Sequence, residues 1–267
     1  MKNRLIPLAL MVGLVVPATV LGQTDDYERG QLHQVSTREV LPADAEAYES
    51  IIEKVVEAAK KANLGMGYRW AFWSKGSTYT LVYPVANYAY FDTPNQWMRA
   101  FEGTEGEALL QEAFSEFENI TSTVVMEEIS ELKAEWSYEP ESRVTMENLK
   151  FGHIDEIWLK SGTDEEFAEL NKEWLSLFKD INYPYAYDGH EVHFGDSGRV
   201  VYVTFIDDLG DYYGVNDMMA LVEAAGATER MEALDARFNA IAERWDHYNM
   251  SFMPNMTYWP TEEMASN

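Results

Sequence analysis

The chain repeats itself weakly, and this repetition constrains its fold more than any other feature. Segment 63–65 resembles 182–184, and segment 138–140 resembles 258–260, in both cases at a spacing of about 120 residues. A third set of matches at nearly the same spacing pairs Asn95, Met98, Glu102 and Phe117 with Asn216, Met219, Glu223 and Phe238. A nearly constant spacing across separated segments indicates that one structural unit occurs twice.

Hydrophobic periodicity and turn residues predict the same order of elements in both halves. In the second half the predicted elements are a strand over 151–159, a helix over 163–181, strands over 187–194 and 200–206, a helix over 231–245 and a strand over 253–259. In the first half they are a strand over 34–41, a helix over 48–59, strands over 68–73 and 78–82, a helical region over 95–132 and a strand over 134–138. Each half therefore has the order β-α-β-β-α-β of a ferredoxin-like unit.

A sheet of this kind carries helices on one face only, and its other face must also be covered. Two units in one chain can cover each other's bare faces. That arrangement resembles the dimeric α+β barrel superfamily, which includes the antibiotic-biosynthesis-monooxygenase-like proteins. We therefore predict an α+β fold in which two tandem ferredoxin-like repeats form a pseudo-dimeric α+β barrel. The predicted units are a signal peptide over 1–22, a first repeat over 23–140, a linker over 141–148 and a second repeat over 149–267.

The N-terminal segment has the order of a secretory signal peptide. Lys2 and Arg4 precede an apolar run over 5–21, which contains two prolines and is followed by polar residues. The run is short for a transmembrane helix, which needs about 20 apolar residues, whereas charge, apolar run and cleavage region in this order are typical of a leader. We predict cleavage after Gly22, a periplasmic or secreted location, and no membrane attachment after cleavage.

The charge of the chain excludes several classes of partner. With 46 acidic and 20 basic residues, the formal net charge is −26. Such a surface repels phosphate backbones, so we predict no binding to nucleic acid, and anionic membranes are disfavoured for the same reason. The chain has no cysteine, which excludes disulfides, thiolate metal sites and cysteine nucleophiles.

Three short motifs resemble catalytic or metal-binding sequences, and each has an ordinary structural explanation. The sequence over 195–198 matches the residues around the nucleophile of trypsin-like proteases. It lies between two predicted strands, however, where glycine and aspartate form a hairpin turn. His190 and His193 are three residues apart on a predicted strand and therefore point to opposite faces, so they cannot share one ion. The acidic loop over 207–217 has oxygen ligands that suit calcium, although turns and helix caps explain it equally well. We predict no resident metal and leave calcium at this loop open.

Aromatic residues gather on or beside the predicted strands, together with a few polar ones. Strand alternation directs some of them into the barrel interior, where an aromatic lining with a few polar groups is typical of a small-molecule pocket. His153 and Asp155 are two residues apart and share one strand face, so the carboxylate can orient the imidazole or raise its pKa. The predicted ligand-binding residues are Arg69, Trp70, Tyr138, His153, Asp155, His193 and Tyr258.

Three functional classes remain open at this point, including whether the protein is an enzyme. The favoured one is a protein that binds an apolar or aromatic small molecule in the barrel interior. The second, which the superfamily resemblance implies for some relatives, is a cofactor-independent monooxygenase- or isomerase-like enzyme, with His153 or His193 as general base and Arg69 as anion stabiliser. The third is a non-catalytic structural or partner-binding protein with a packed interior. Because the sequence has no glycine-rich phosphate loop, we predict no cofactor, and we expect a monomer or weak homodimer.

Overall fold

Eight antiparallel strands close into one barrel in the computed structural model, which describes residues 31–92, 96–140, 144–196, 198–214 and 217–260. The strands are β1 (Leu32–Val40), β2 (Ala71–Lys75), β3 (Thr78–Val85), β4 (Ser122–Leu132), β5 (Phe151–Leu159), β6 (Tyr187–Phe194), β7 (Arg199–Ile206) and β8 (Ala242–Phe252). Their order around the barrel is β1-β3-β2-β8-β5-β7-β6-β4. Each strand therefore has two hydrogen-bonded neighbours, and closure satisfies the edges that an open sheet would expose.

The predicted fold, two tandem ferredoxin-like repeats forming a pseudo-dimeric α+β barrel, is wrong. The structure has one continuous, closed, eight-stranded antiparallel barrel rather than two separate sheets with opposed bare faces. Strands from the two parts of the chain are joined edge to edge, because β4 pairs with β6 over Ile129–Leu132 and β2 pairs with β8 at Trp73 and Ser74. Backbone hydrogen bonds across these two seams join the two parts into one continuous sheet. The proposed unit boundaries at 140 and 149 stay a prediction.

Helices cover the outside of the barrel in two groups. They are α1 (Ala45–Lys61), α2 (Gln96–Arg99), α3 (Glu107–Phe117), α4 (Asp164–Asp180), α5 (Leu209–Tyr212), α6 (Met218–Ala224) and α7 (Thr228–Ile241). The apolar face of α1 packs with α3 over β1, β2 and β3, in a core that includes Ile51, Val55 and Leu110. The apolar face of α4 packs with α7 over β5 and β7, in a core that includes Leu170, Leu177 and Leu234. Burial of these faces supplies most of the stability of such amphipathic helices.

Two strands lie where the sequence predicted other structure. The helical region predicted over 95–132 contains α2, α3 and then β4, and the strand predicted over 134–138 is a 3-10 helix over Ala134–Trp136. The helix predicted to reach Trp245 ends at Ile241, where β8 begins, and the final strand predicted over 253–259 reduces to a single bridge between Trp70 and Tyr258. Both misread segments lie at the seams that close the barrel, where pairing with distant strands decides the local structure.

Apolar and polar side chains occupy different regions of the barrel interior. An apolar cluster of Trp73, Leu149, Ile154, Met250 and Phe252 occupies one region. A polar cluster occupies a second region, in which the guanidinium of Arg199 contacts the carboxylate of Glu128 and, at 2.7 Å, the carboxylate of Glu156. His33 and His190 also meet edge to face, with ring centroids 5.4 Å apart. Burial lowers the pKa of His33 to about 3 and that of His190 to about 4, so both imidazoles are neutral near pH 7.

The predicted signal peptide over 1–22 lies outside the described residues, so export stays a prediction. In the part of the chain that the structure describes, no helix has the combination of length and apolarity that a bilayer crossing requires.

The close approach of α1 and α3 depends on Gly106, which stands immediately before α3. A Cβ at this position would overlap the backbone carbonyl oxygen of Ala58, which is fully buried in α1. Because a backbone atom cannot move aside as a side chain can, we expect Gly106→Ala to lower the free energy of unfolding by about 3 kcal/mol, at the upper end of overpacking effects. Urea denaturation measures this change.

Gly65→Ala is the matched control for that variant. Gly65 has φ −75°, and no atom lies within 4 Å of the position that an added methyl group would take, so alanine fits without strain. We expect its unfolding curve to match that of the unsubstituted protein or to shift slightly towards stability. Equal losses in both variants would contradict the role assigned to the α1–α3 contact.

Candidate functional site

Two cavities lie between the outer face of the barrel and the helices, and neither lies in the barrel interior. Successive side chains of a strand point to opposite faces, so Ile154 enters the interior cluster while His153 and Asp155 face the helices. The α1 cavity, between β1–β3 and helices α1 and α3, has a volume of about 150 Å³. The α4 cavity, between β5, β7, β8 and helices α4–α7, has a volume of about 380 Å³. The interior location expected for the ligand therefore does not match the location of these cavities.

His153 lies at the centre of the polar wall of the α4 cavity, and its position is set by strand register. It pairs with Asn249 on β8 and with Thr204 on β7. The Nδ1 atom of His153 is 2.9 Å from Oδ1 of Asn249, which also accepts a hydrogen bond from the hydroxyl of Tyr213 at 3.1 Å. Because an amide oxygen only accepts, this contact places the neutral imidazole's proton on Nδ1 and leaves Nε2 able to take up another.

Asp155 faces that second nitrogen. Its Oδ2 is 3.6 Å from Nε2 of His153, and its Oδ1 accepts a hydrogen bond of 2.8 Å from the indole of Trp245. Burial lowers the pKa of His153, but the nearby negative charge of Asp155, with the contact to Asn249, outweighs this effect and raises the pKa above its usual value. Trp245, Asp155 and His153 thus form a chain in which the carboxylate is held in place and stabilises the imidazolium.

The rest of the α4 cavity is aromatic and acidic. Its carboxylate and imidazole side chains belong to three aspartates and two histidines, and neither lysine nor arginine is among the described residues that line it. Burial raises the pKa of Asp235, and burial together with neighbouring tyrosines and Asp155 raises the pKa of Tyr212 far above its usual range. The aromatic lining residues are Phe167, Trp174, Phe178, Tyr183, Tyr187, Tyr202, Tyr212, Tyr213, Phe238 and Trp245. This wall favours neutral or cationic aromatic molecules that donate hydrogen bonds.

The α1 cavity is smaller and has a different charge. Trp70 and Trp97 form part of its apolar wall, with ring centroids 5.6 Å apart. Arg38 and Arg69 also line it, and Arg69 donates hydrogen bonds to Met66 and to Gln31 at 3.1 Å and 3.0 Å. Two predicted ligand-binding residues, Arg69 and Trp70, therefore lie at a cavity that is separate from the one containing His153 and Asp155.

Two further predicted residues are structural supports beside the cavities. Tyr258 is 1% exposed, packs on Trp70 and donates its hydroxyl hydrogen bond to the carbonyl of Leu64. Tyr138 is buried in the core below α4 and donates to the carbonyl of Tyr183 at 3.2 Å. Neither is among the residues that line the two cavities.

His193 lies away from both cavities, at the seam between β4 and β6. Its Nε2 is 3.1 Å from Glu131 and 3.4 Å from Glu191, and its Nδ1 is 2.6 Å from the hydroxyl of Tyr88. One histidine and two carboxylates could hold a metal ion. The ammonium of Lys133, however, lies 2.6 Å from Glu131 and 2.8 Å from Glu191 and already pairs with both carboxylates. We therefore interpret the group as an ion-pair cluster that joins the strands.

The acidic loop over 207–217 contains two helix caps. Asp208 accepts a hydrogen bond from the backbone of Asp211 at the start of α5, and Asp217 accepts from Met219 and Ala220 at the start of α6. Capping is the structural role that the sequence offered as the alternative to calcium for this loop.

Sequence reasoning missed the residues that β8 contributes to the α4 cavity, because it placed Trp245 on a helix. Trp245, His247 and Asn249 alternate along β8 and face the helices, and the ring of His247 lies 5.8 Å from that of His153. The alternation of these three polar or aromatic residues was the available signal.

Comparison with solved structures shows the same fold in proteins of very different sequence. A proposed monooxygenase from Lactobacillus acidophilus matches 86% of this chain and 96% of its own at 8% identity, with a TM-score of 0.50. A proposed monooxygenase from Fusobacterium nucleatum matches 84% of this chain and 93% of its own at 12% identity, with a TM-score of 0.53. No family model and no curated protein sequence matches the chain. At such low identity the likeness extends to the fold alone.

Proposed function

We propose that the protein binds a small aromatic molecule in the α4 cavity. The observation that carries this proposal is an aromatic cavity with one polar wall, in which His153, Asp155, Tyr213 and Asn249 converge. Ligand sites are typically apolar clefts with a few precisely held polar groups. The barrel strands fix these groups by register, so the site is held by rigid elements rather than by loops alone.

The size of the cavity limits the ligand to about two or three fused rings. A cavity of about 150 Å³ accommodates one benzene ring, and the α4 cavity has about 380 Å³. Its acidic wall disfavours carboxylates, whereas phenolic hydroxyl groups can donate to Asp155 or to the unprotonated Nε2 of His153. The expected ligand class is therefore a neutral, phenolic, two- or three-ring aromatic compound.

A binding measurement with 2-naphthol tests this proposal. We expect calorimetric titration to give a dissociation constant on the order of 10 µM. Thr204→Phe should weaken binding at least tenfold, because Thr204 is buried in the cavity wall and a phenyl ring there would occupy the ligand's space. A folded Thr204→Phe protein that binds 2-naphthol normally would contradict the assignment.

Ser36→Phe is the matched control, since it inserts the same ring into the α1 cavity. We expect this variant to bind 2-naphthol as the unsubstituted protein does. If both variants lose binding equally, the ligand does not distinguish the cavities and the α4 site is not its location.

A second candidate function is proton abstraction from the bound aromatic molecule. It is favoured by one observation, the chain of Trp245, Asp155 and His153, which holds an imidazole with a raised pKa at the cavity wall. A base whose pKa lies near the working pH is suited to remove a proton from a phenol or from an activated carbon. In this role His153 is the general base, Asp155 stabilises its protonated form, and Trp245 positions Asp155. The proton passes from the bound molecule to Nε2 of His153.

A further inference from the structure

The two cavities differ in charge as well as in size. The charged residues that line the α4 cavity are aspartates, whereas the α1 cavity is lined by Arg38, Arg69 and a single carboxylate, Glu127. The chain has 46 acidic and 20 basic residues, so a small cavity with more arginines than carboxylates departs from the character of the whole molecule. A local positive charge in an apolar cavity favours an anionic ligand.

Arg38 is held in position to receive such a ligand. It projects from the end of β1, donates a hydrogen bond of 2.9 Å to Ser122 and lies over the ring of Phe117, 5.2 Å from its centroid. In the part of the chain that the structure describes, no ion pair joins Arg38 to a carboxylate. Its guanidinium therefore keeps a fork of donors in a fixed orientation, the geometry that recognises carboxylates.

A neutral phenol stands beside this guanidinium. Tyr48 is 3% exposed and lines the same cavity. Burial raises the pKa of Tyr48 to about 12, against the smaller opposing effect of Arg38. The phenol thus keeps its proton at neutral pH, so no negative charge at this position competes with a bound anion.

The volume and walls of the α1 cavity limit the size and polarity of the part of the ligand that carries the anionic group. A volume of about 150 Å³ corresponds to one benzene-sized ring. The walls that would contact the ring are apolar and aromatic: Ile52, Phe72, Leu81, Trp97 and Phe114. We infer that the α1 cavity is a second binding site, specific for a single-ring aromatic carboxylate, with the carboxylate on Arg38 and the ring against these walls.

The test compares benzoate with benzyl alcohol, its neutral analogue of similar shape. Saturation-transfer NMR and calorimetric titration should show that benzoate binds and that benzyl alcohol binds at least tenfold more weakly. Arg38→Gln should weaken benzoate binding by about 10- to 100-fold, the range for a charge-assisted hydrogen bond, and leave benzyl alcohol unaffected. Ser36→Phe should remove binding of both compounds, because the added ring fills the cavity.

Thr204→Phe separates this inference from the function proposed for the α4 cavity. Benzoate binding should persist in that variant, since the substitution fills the other cavity. Absence of benzoate binding, equal affinity for benzyl alcohol, or undiminished benzoate binding in Arg38→Gln or Ser36→Phe would each overturn the inference. If a variant fails to fold, the comparison of benzoate with benzyl alcohol on the unsubstituted protein still tests the predicted preference for the anion.

Discussion

Arg199→Met should lower the free energy of unfolding by about 3–5 kcal/mol, the cost of breaking a buried ion pair from one side. The guanidinium of Arg199 lies in the barrel interior with a side chain 6% exposed, between the carboxylates of Glu128 and Glu156, which are 4% and 14% exposed. Methionine fills a similar volume but leaves two carboxylates without a cation in a space from which water is excluded. Urea denaturation at pH 7 measures the loss.

Arg230→Met is the control for charge removal at the surface. Arg230 pairs with Asp180, but the two side chains are 38% and 61% exposed, and exposed pairs contribute little because water and salt screen them. We expect its unfolding curve to stay close to that of the unsubstituted protein. A comparable loss in both variants would show that net charge, rather than the buried arrangement, is responsible.

The defect of Arg199→Met should also depend on pH. Burial raises the pKa of Glu128, although Arg199 acts in the opposite direction, so removal of Arg199 raises it further. A carboxyl group whose pKa is higher in the folded than in the unfolded protein stabilises the fold at pH values below its unfolded pKa, which is near 4.5. This stabilisation is lost as the pH rises through the folded-state pKa. The difference in stability between the variant and the unsubstituted protein should therefore be smaller at pH 4 than at pH 7. A difference that does not change with pH would contradict this account.

The strands that the sequence predicted well are followed by turn glycines, Gly162 after β5 and Gly195 after β6, both of which have positive φ. The predicted bounds 151–159 and 187–194 agree with β5 and β6. In contrast, β8 carries Trp245, His247 and Asn249 towards a cavity and Glu243 towards solvent, so its apolar alternation is weak. The apolar residues of α7 recur every three or four positions, and this spacing continues to Trp245. The sequence therefore predicted a helix that extends into β8.

The candidate site shows what local patterns can and cannot predict. His153 and Asp155 were identified because residues two apart on a strand share a face, and the structure places Nε2 and Oδ2 3.6 Å apart. Which face lies inside a closed barrel is not encoded in that spacing, and the pair faces the helices rather than the interior. Asn249 joins His153 only through the pairing of β5 with β8, a register between segments about 96 residues apart. Such register depends on the whole fold.

The largest functional effect is expected from His153→Gln. If His153 is a general base, a bound two-ring ketone such as 2-tetralone should exchange its acidic carbon-bound hydrogen for deuterium in D₂O. Nε2 takes the proton, the electron pair of the C–H bond passes to the ketone oxygen to form an enolate, and a deuteron returns from the exchanged imidazolium. Glutamine keeps a polar group of similar size but cannot carry the proton, so we expect exchange measured by proton NMR to slow by about 10²- to 10⁴-fold.

His247→Gln and Asp155→Asn test whether His153 acts as a base or only contributes a polar group to the cavity wall. His247 lines the same cavity and its ring lies 5.8 Å from that of His153, so its substitution should change the rate only a few-fold. The rate should rise with pH and level off above the pKa of His153, which lies above 6.5, because only the neutral imidazole accepts a proton. Asp155→Asn removes the carboxylate that raises this pKa while burial, which lowers it, remains, so the midpoint should move to lower pH. Equal losses in the two histidine variants, or exchange no faster than in buffer, would leave ligand binding as the function of the α4 cavity.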